Sequence, residues 1–477
     1  MDAVGSNIVL QHRTGELFRC IPKMNDDVNE EWISDKTRFA IDGLKYQRLV
    51  APMAKVGGQL VESTWEEVLF RVAEKLRQAS GTSMAAIVGT LNDAESTIAL
   101  KDLFNKFNSE HVYTEGDFPI ESGGFDLRSN YLLNDRLASV ENCDALLLVG
   151  TNPRYEAPVF NARIRKAFLH TDIEIGVVGS HVDLTYDYEY LGDQADVIDD
   201  LLSGKSEFSK KLSAAQRPLI VVGVDALKGD QDGGALLGKL QRLAEKVRGQ
   251  NKETKVLNIL HRSAGQVAAL DLGLKPASAL ESVKKSIKLV YLLGADELKF
   301  KRSDFADNAF IIYQGHHGDA GAEIADVILP GGAYTEKDGT YVNTEGRAQK
   351  AYPAVLPPGD ARTDWKIIRA VSEVAGKTLP YDSIQEIRNR LSQIAPHLTR
   401  YGIAEESGFL KQALELGAQD ILLRGNKSLA TKQKSLEDFW LTNTITRASP
   451  TMAECVRAAR QHQQNPHLDP LTLSASI

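Results

Sequence analysis

Cysteine is almost absent from this chain: three in 477 residues, Cys20, Cys143 and Cys455, far apart and never in a CxxC pair. That excludes a disulfide-stapled scaffold and points to a reducing compartment. An iron–sulfur cluster draws about four ligands, mostly thiolates, so any such chemistry is expected on another chain. Long apolar runs are also missing. None approaches the roughly 20 residues that cross a bilayer, so no transmembrane segment is expected. Positive charge is not in excess: 56 Lys and Arg face 64 Asp and Glu, a net charge of −8. With no polybasic run, nucleic acid is not expected as a partner. No GxGxxG opens a strand–helix turn, so the ordinary dinucleotide fingerprint is absent. The opening residues, Met-Asp-Ala-Val-Gly-Ser-Asn, are neither a signal peptide nor an Arg-rich transit sequence. The chain therefore reads as a mature product or a piece cut at a domain boundary.

What is present fits a globular protein, with 43% hydrophobic and 25% charged residues. Its length suggests two to four domains. Residues 1–50 read as short strands and turns, then a brief helix over 35–44, before a linker around Pro52 and Gly57-Gly58. Ser63-Thr64-Trp65-Glu66 is a capping-box pattern opening a helix. From residue 85 onward, apolar strands alternate with amphipathic helices. Strands are expected at 85–90, 145–150, 173–179, 219–224, 256–260, 289–294 and 310–314. Helices are expected from about 93, over 157–169, 234–247 and 364–375. Continuous apolar strands between such helices mean parallel sheets covered on both faces by right-handed crossovers. Beyond about 380 the pattern weakens. Residues 384–394 and 409–414 look helical, 426–434 look polar and mobile, and 438–459 look like a docking segment, an arm lying on a neighbour.

Several motifs need weighing. Gly233-Gly-Ala-Leu-Leu-Gly238-Lys239-Leu240 nearly matches a phosphate-cradling loop. Leu240 stands where a Mg²⁺-binding hydroxyl belongs, so an ordinary helix start is the better reading. His316-His317 follows a strand without a third ligand nearby, which favours hydrogen bonding over metal ligation. Gly150-Thr151-Asn152-Pro153-Arg154 sits where a strand meets a helix. Backbone N–H groups there can hold an anion, and Asn152 a purine or pterin edge, or the segment is simply a capped tight turn. The densest stretch is Ala325-Asp-Val-Ile-Leu-Pro330, then Glu336-Lys-Asp-Gly-Thr340 and Asn343-Thr-Glu-Gly-Arg347. It is an apolar strand ending in a charged, Gly-rich loop, where an open α/β sheet would bind a ligand.

These blocks, in this order, resemble the molybdopterin oxidoreductase superfamily. The resemblance implies an α/β fold of doubly wound parallel-sheet subdomains of the formate dehydrogenase/DMSO reductase type. A small, degenerate, β-rich N-terminal domain (1–50) would precede it. A first α/β subdomain would be discontinuous (51–114 plus 288–376), with a second inserted at 115–287 and a C-terminal helical or extended arm at 377–477. Catalytic relatives begin with a pattern like Cys-Ser-Val-Gly-Cys-Asn and later Cys-x-Lys-Gly-Arg-Phe. Here Asp2-Ala-Val-Gly-Ser6-Asn7 and Ser34-Asp-Lys-Thr-Arg-Phe39 stand instead. Asp2, Ser6 and Ser34 thus mark lost cluster-ligand positions, since oxygen donors substitute poorly for thiolate. Molybdenum ligands in relatives are Cys, selenocysteine or Ser. Residues 110–131 hold no Cys, and nothing singles out Ser122 or Ser129.

One branch of the superfamily has this profile: the large 75-kDa iron–sulfur subunits of respiratory complex I, NADH:ubiquinone oxidoreductase. Residues 2–8, 29–39, 149–165, 268–274, 313–319, 326–349, 364–375 and 449–455 all look like the carboxyl-terminal two-thirds of that family. The resemblance implies a non-catalytic scaffold in the peripheral arm, on the matrix side of the mitochondrial inner membrane or, less favoured, the bacterial cytoplasmic face. No cofactor is expected in this chain. Iron–sulfur clusters and FMN would lie elsewhere in the complex, the clusters on an adjoining N-terminal ferredoxin-like part or chain. Partners would be that part and other peripheral-arm subunits. No catalytic or metal-binding residue is expected, only a vestigial cofactor cleft of Gly150, Asn152, Pro153, Arg154, Glu336, Asn343 and Arg347. Within it, Arg347 is expected to pair with Glu336 or Asp338, because Arg favours bidentate carboxylates. The rival is an active molybdopterin enzyme, formate-dehydrogenase-like, with Asn152, Glu336, Asn343 and Arg347 holding a pterin nucleotide.

Overall fold

A computed structural model of the chain describes residues 1–120, 124–228, 230–248, 254–408, 410–417, 427–431 and 439–464. Ser122, residue 409, residues 426 and 432–434, and residue 438 lie outside these. Two hairpins and two larger sheets carry the strands. Strands β1 (Ile8–Arg13) and β2 (Glu16–Pro22) pair around the Thr14-Gly15 turn. Thr64 caps the helix α2 (Trp65–Gln78), accepting a hydrogen bond from Glu67 N, as the capping pattern implies. The brief N-terminal helix is α1 (Asp35–Phe39), continued by a tighter 3₁₀ turn over Ala40–Lys45.

The first large sheet has seven strands. They are β3 (Met53–Val56), β4 (Gln59–Glu62), β5 (Met84–Val88), β6 (Val112–Thr114), β12 (Leu289–Leu293), β13 (Phe310–Gly315) and β14 (Val327–Pro330), in the order β4-β3-β14-β13-β12-β5-β6. The five strands from β14 to β6 run parallel. The segment read as a linker is instead the antiparallel hairpin β3–β4, which joins this sheet edge through β14. Gly57-Gly58 is its turn, both at positive φ. The second sheet is wholly parallel: β7 (Ala145–Val149), β8 (Glu174–Val178), β9 (Glu189–Gly192), β10 (Pro218–Gly223) and β11 (Leu257–Leu260), in the order β11-β10-β7-β8-β9.

Helices α3 (Ala94–Lys106) and α11 (Asp364–Val374) join α2 against the first sheet, and α5 (Pro158–His170) and α8 (Asp230–Arg248) flank the second. Every residue of β5, β7 and β12 is buried, as an all-parallel sheet between helices requires. The near-match to a phosphate loop lies inside α8, where Lys239 reaches Asp199 at 2.7 Å. A short hairpin, β15 (Gly339–Val342) with β16 (Ala348–Ala351), follows β14.

The C-terminal residues do not reach away as the expected arm; they pack on the chain itself. Lys36 Nζ donates to Thr442 Oγ1 at 3.0 Å, and Thr451 N to Asp42 at 3.0 Å. Arg447 pairs with Glu297 at both carboxylate oxygens and with Asp319. An Arg matched to two half-buried carboxylates of the first sheet's loops gives this segment a specific seat. No helix among the described residues is long and apolar enough to cross a membrane.

Candidate functional site

The loop after β14 is held by buried ion pairs. Lys337, 4% exposed, puts its ammonium 2.8 Å from Asp93 and 2.6 Å from Asp364, both buried. Asp93 caps α3 and Asp364 opens α11, so one lysine ties two helix N-termini to the loop. Burial alone would lower the Lys337 pKa, but Asp364 and Asp93 hold it well above the usual lysine value. Burial raises Asp364, whereas Asp93 is held low despite burial by Lys337 and by bonds from Ser96. Next to them Glu95 accepts from Thr340 N and Oγ1, each at 2.7 Å, and from Arg388 Nε at 2.9 Å. Burial, then Asp93, pushes Glu95 up. Among four carboxylates and two cations, the surplus negative charge favours a retained proton on Glu95 or Asp364.

Glu336 is gripped bidentately by Arg48, both bonds at 2.6 Å, and Asp338 by Arg388. Arg347 therefore does not pair with either, contrary to the sequence expectation. Its Nε bonds Glu345, two residues away on the hairpin tip, at 2.7 Å. Its Nη1 reaches Asp27 at 3.0 Å and the Gly402 carbonyl at 2.6 Å. Asn343 donates to the Val4 carbonyl at 3.0 Å and accepts from Arg347 N at 2.9 Å. The tip thus faces the N-terminal unit, with Thr344 N bonded to the Ala3 carbonyl.

The Gly150 turn is held by other partners. Asn152 is fully buried, and Pro153 opens the short helix α4 (Pro153–Glu156). Arg154 is half-exposed and pairs with Asp183 at 2.5 Å. Glu156, which the sequence did not single out, is buried and accepts from Thr151 Oγ1 at 2.5 Å and Thr431 Oγ1 at 2.8 Å. Burial raises its pKa, offset by Arg262. The seven residues of the expected cleft thus fall into two groups. Glu336, Asn343 and Arg347 lie on the loop and hairpin after the first sheet, and Gly150 to Arg154 at the strand ends of the second.

His316 and His317 meet Nδ1 to Nδ1 at 2.5 Å, with His317 Nε2 2.7 Å from the Gly43 carbonyl. Burial lowers His317 to about 4 and His316 far below its usual value, so both stay neutral hydrogen-bonding groups. Among the described residues no group of three His, Cys, Asp or Glu is placed to hold a metal ion.

At the N-terminal unit, Asp2 is buried and accepts from Val4 N at 3.0 Å. Ser34 caps α1, accepting from Thr37 N at 3.2 Å and meeting Thr37 Oγ1 at 2.9 Å. Ser6 is half-buried. Cys20 is the one thiol in this unit, buried, with burial pushing it up to about 11. A buried neutral thiol and two engaged oxygen side chains do not fit a [4Fe–4S] cluster, which takes thiolates. The charged loops do not fit a pterin nucleotide either. The guanidinium and ammonium groups that would meet its phosphates are already matched to carboxylates at Glu336, Glu345, Asp93 and Asp364.

The sequence matches the molybdopterin oxidoreductase family over residues 48–374. It matches the NADH-ubiquinone oxidoreductase NDSU1/NuoG-like 4Fe-4S domain over 1–42, and the C-terminal domain of the same kind of NADH-ubiquinone oxidoreductase polypeptide over 405–455. It is 47% identical to the NADH-ubiquinone oxidoreductase 78 kDa subunit, mitochondrial, of Candida albicans, over 96% of this chain and 63% of that protein. It is 41% identical to the NADH-ubiquinone oxidoreductase 75 kDa subunit of Reclinomonas americana, over 95% of this chain and 67% of that protein. The chain spans less than two-thirds of the Candida protein's length. Acetylene hydratase from Pelobacter acetylenicus shares the fold, with a TM-score of 0.55 at 12% identity, over 86% of this chain and 71% of that one.

Proposed function

From the premise that this chain belongs to the molybdopterin oxidoreductase family, in the branch of NADH-ubiquinone oxidoreductase 75- and 78-kDa subunits, we propose that it is a scaffold without redox chemistry of its own. The observation that carries this reading is the internal matching of charge in the cleft. Arg48–Glu336, Arg347–Glu345 and Asp93–Lys337–Asp364 fill with side chains the space a cofactor's phosphates would need. At the N-terminal unit, Asp2 and Ser34 spend their oxygens on backbone amides, as helix and turn caps do.

In this reading the chain is a component of NADH:ubiquinone oxidoreductase, on the matrix side of the mitochondrial inner membrane. Electrons pass through FMN and iron–sulfur clusters held elsewhere. The clusters nearest to it belong to an N-terminal ferredoxin-like part of the same subunit or to an adjoining chain. This chain gives that part and neighbouring peripheral-arm subunits a rigid surface. The two sheets and the N-terminal unit form three subdomains, 1–50, 51–114 plus 288–376, and 115–287, with 377–477 wrapped over them.

The test is NADH:ubiquinone turnover per assembled complex with Asn152→Ala or Arg154→Ala in this chain. Turnover equal to the wild type is expected, whatever the yield of assembly. A turnover loss in fully assembled complex would return these residues to a working cofactor site.

A further inference from the structure

The strand ends of the second sheet are not open. Residues 427–431, Lys-Ser-Leu-Ala-Thr, which look polar and mobile in the sequence, run across them with Leu429 and Thr431 each 1% exposed. Leu429 N donates to the Asp193 carbonyl at 2.8 Å, and Ala195 N to the Lys427 carbonyl at 2.9 Å. Ser428 and Gln194 form an antiparallel bridge between these bonds. The short segment is therefore paired, strand-like, with the chain just after β9. Lys427 Nζ donates to the Lys228 carbonyl beyond β10, and Thr431 Oγ1 donates to the buried Glu156 carboxylate. The Leu429 carbonyl lies so near the turn that a Cβ on Gly150 would sit 3.2 Å from it, and one on Gly179 3.0 Å. Both glycines hold positive φ, so backbone conformation and the approach of residue 429 together exclude a side chain there.

An open parallel sheet takes its ligands just outside the carboxyl ends of its strands. We infer that this crevice is a peptide-binding site whose ligand is the chain's own residues 427–431. Each part of the segment is read separately. Backbone pairing with residues 193–195 sets its register. Two glycines admit the Leu429 carbonyl, and Glu156, steadied by Thr151, takes the Thr431 hydroxyl. Asp193, Ala195, Lys228 and Glu156 come from three different strand-end connections, so a bound peptide also fixes those connections to one another. The inference does not depend on the chain's place in a respiratory complex.

Two measurements on the full chain test it. Residues facing each other across an antiparallel bridge have the Cα spacing that a disulfide spans. A Gln194→Cys/Ser428→Cys variant is expected to close this bond nearly completely under mild oxidation, and to keep the hydrogen-exchange protection of Gly150, Gly179 and Ala195. Failure to close would overturn the inference. A Leu429→Ala/Thr431→Val variant is expected to exchange those three amides at least tenfold faster, with β12 and β13 unchanged. Wild-type rates there, or equal acceleration in both sheets, would overturn it.

Discussion

Replacing Lys337 by methionine probes the charge-matched loop most sharply. The change keeps most of the side-chain volume but leaves Asp93 and Asp364 facing each other, both buried, without the ammonium that now lies 2.8 and 2.6 Å away. Breaking a buried pair in this way costs about 3–5 kcal/mol. Unfolding entropy of about 2.1 cal/mol/K per residue gives roughly 1.0 kcal/mol/K for 477 residues, so the midpoint should fall by about 3–5 °C if the chain melts as one unit. The loss should depend on pH with a definite sign. In the wild type Lys337 holds Asp93 below the usual carboxylate value, so the pair's stability is present above the unfolded carboxylate pKa of about 4 and fades below it. Without the lysine, burial raises both carboxylates, which favours their protonated forms. The penalty is then fullest near neutral pH and shrinks as the medium is acidified. Thermal melts of both proteins at about pH 7.5 and 5.5 should show a narrower gap at the lower pH. A triple variant, Lys337→Met with Asp93→Asn and Asp364→Asn, should recover much of the loss. An equal gap at both pH values, or a single variant as stable as the wild type, would refute the reasoning.

Three further outcomes follow from the same geometry. Gly43→Ala would place a Cβ 2.0 Å from the Ile445 carbonyl, so the C-terminal turn must shift. A loss of about 1–3 kcal/mol and faster proteolysis within 444–451 are expected. Asp296, buried against Tyr313 and Gly321 N, is pushed up to about 7 by burial, so its protonated form favours folding at low pH and that gain is lost as pH rises through about 7. Asp296→Asn should therefore flatten the stability–pH curve between about 4 and 7, read by urea melts. Arg154→Ala removes a pair with the largely exposed Asp183 and should change stability by less than about 1 kcal/mol.

The sheets were legible because a parallel strand covered on both faces must be apolar throughout, and 145–149 and 289–293 are continuous runs of such residues. The β3–β4 hairpin was not. Pro52 and Gly57-Gly58 read as a linker, and β4, on the sheet edge, is mostly exposed and shows no apolar stripe. Residues 427–431 failed for a different reason. One leucine among polar neighbours carries no period, and its burial comes from a crevice built by chain more than two hundred residues earlier. In the cleft, the loop carrying Glu336 and Arg347 stood out through its glycines and charges. Which charge meets which did not. Arg48 is 288 residues from Glu336 and Arg388 is 293 from Glu95, separations at which one sequence holds no pairing signal. The one local pair, Arg347 with Glu345, was passed over for more distant carboxylates.

The claim that this chain carries no redox centre is tested most directly by metal analysis of the purified full chain, expressed with molybdenum and iron in supply. The account predicts molybdenum and iron both far below one atom per chain, and no paramagnetic cluster signal after reduction. Stoichiometric molybdenum, or about four irons per chain with such a signal, would contradict it.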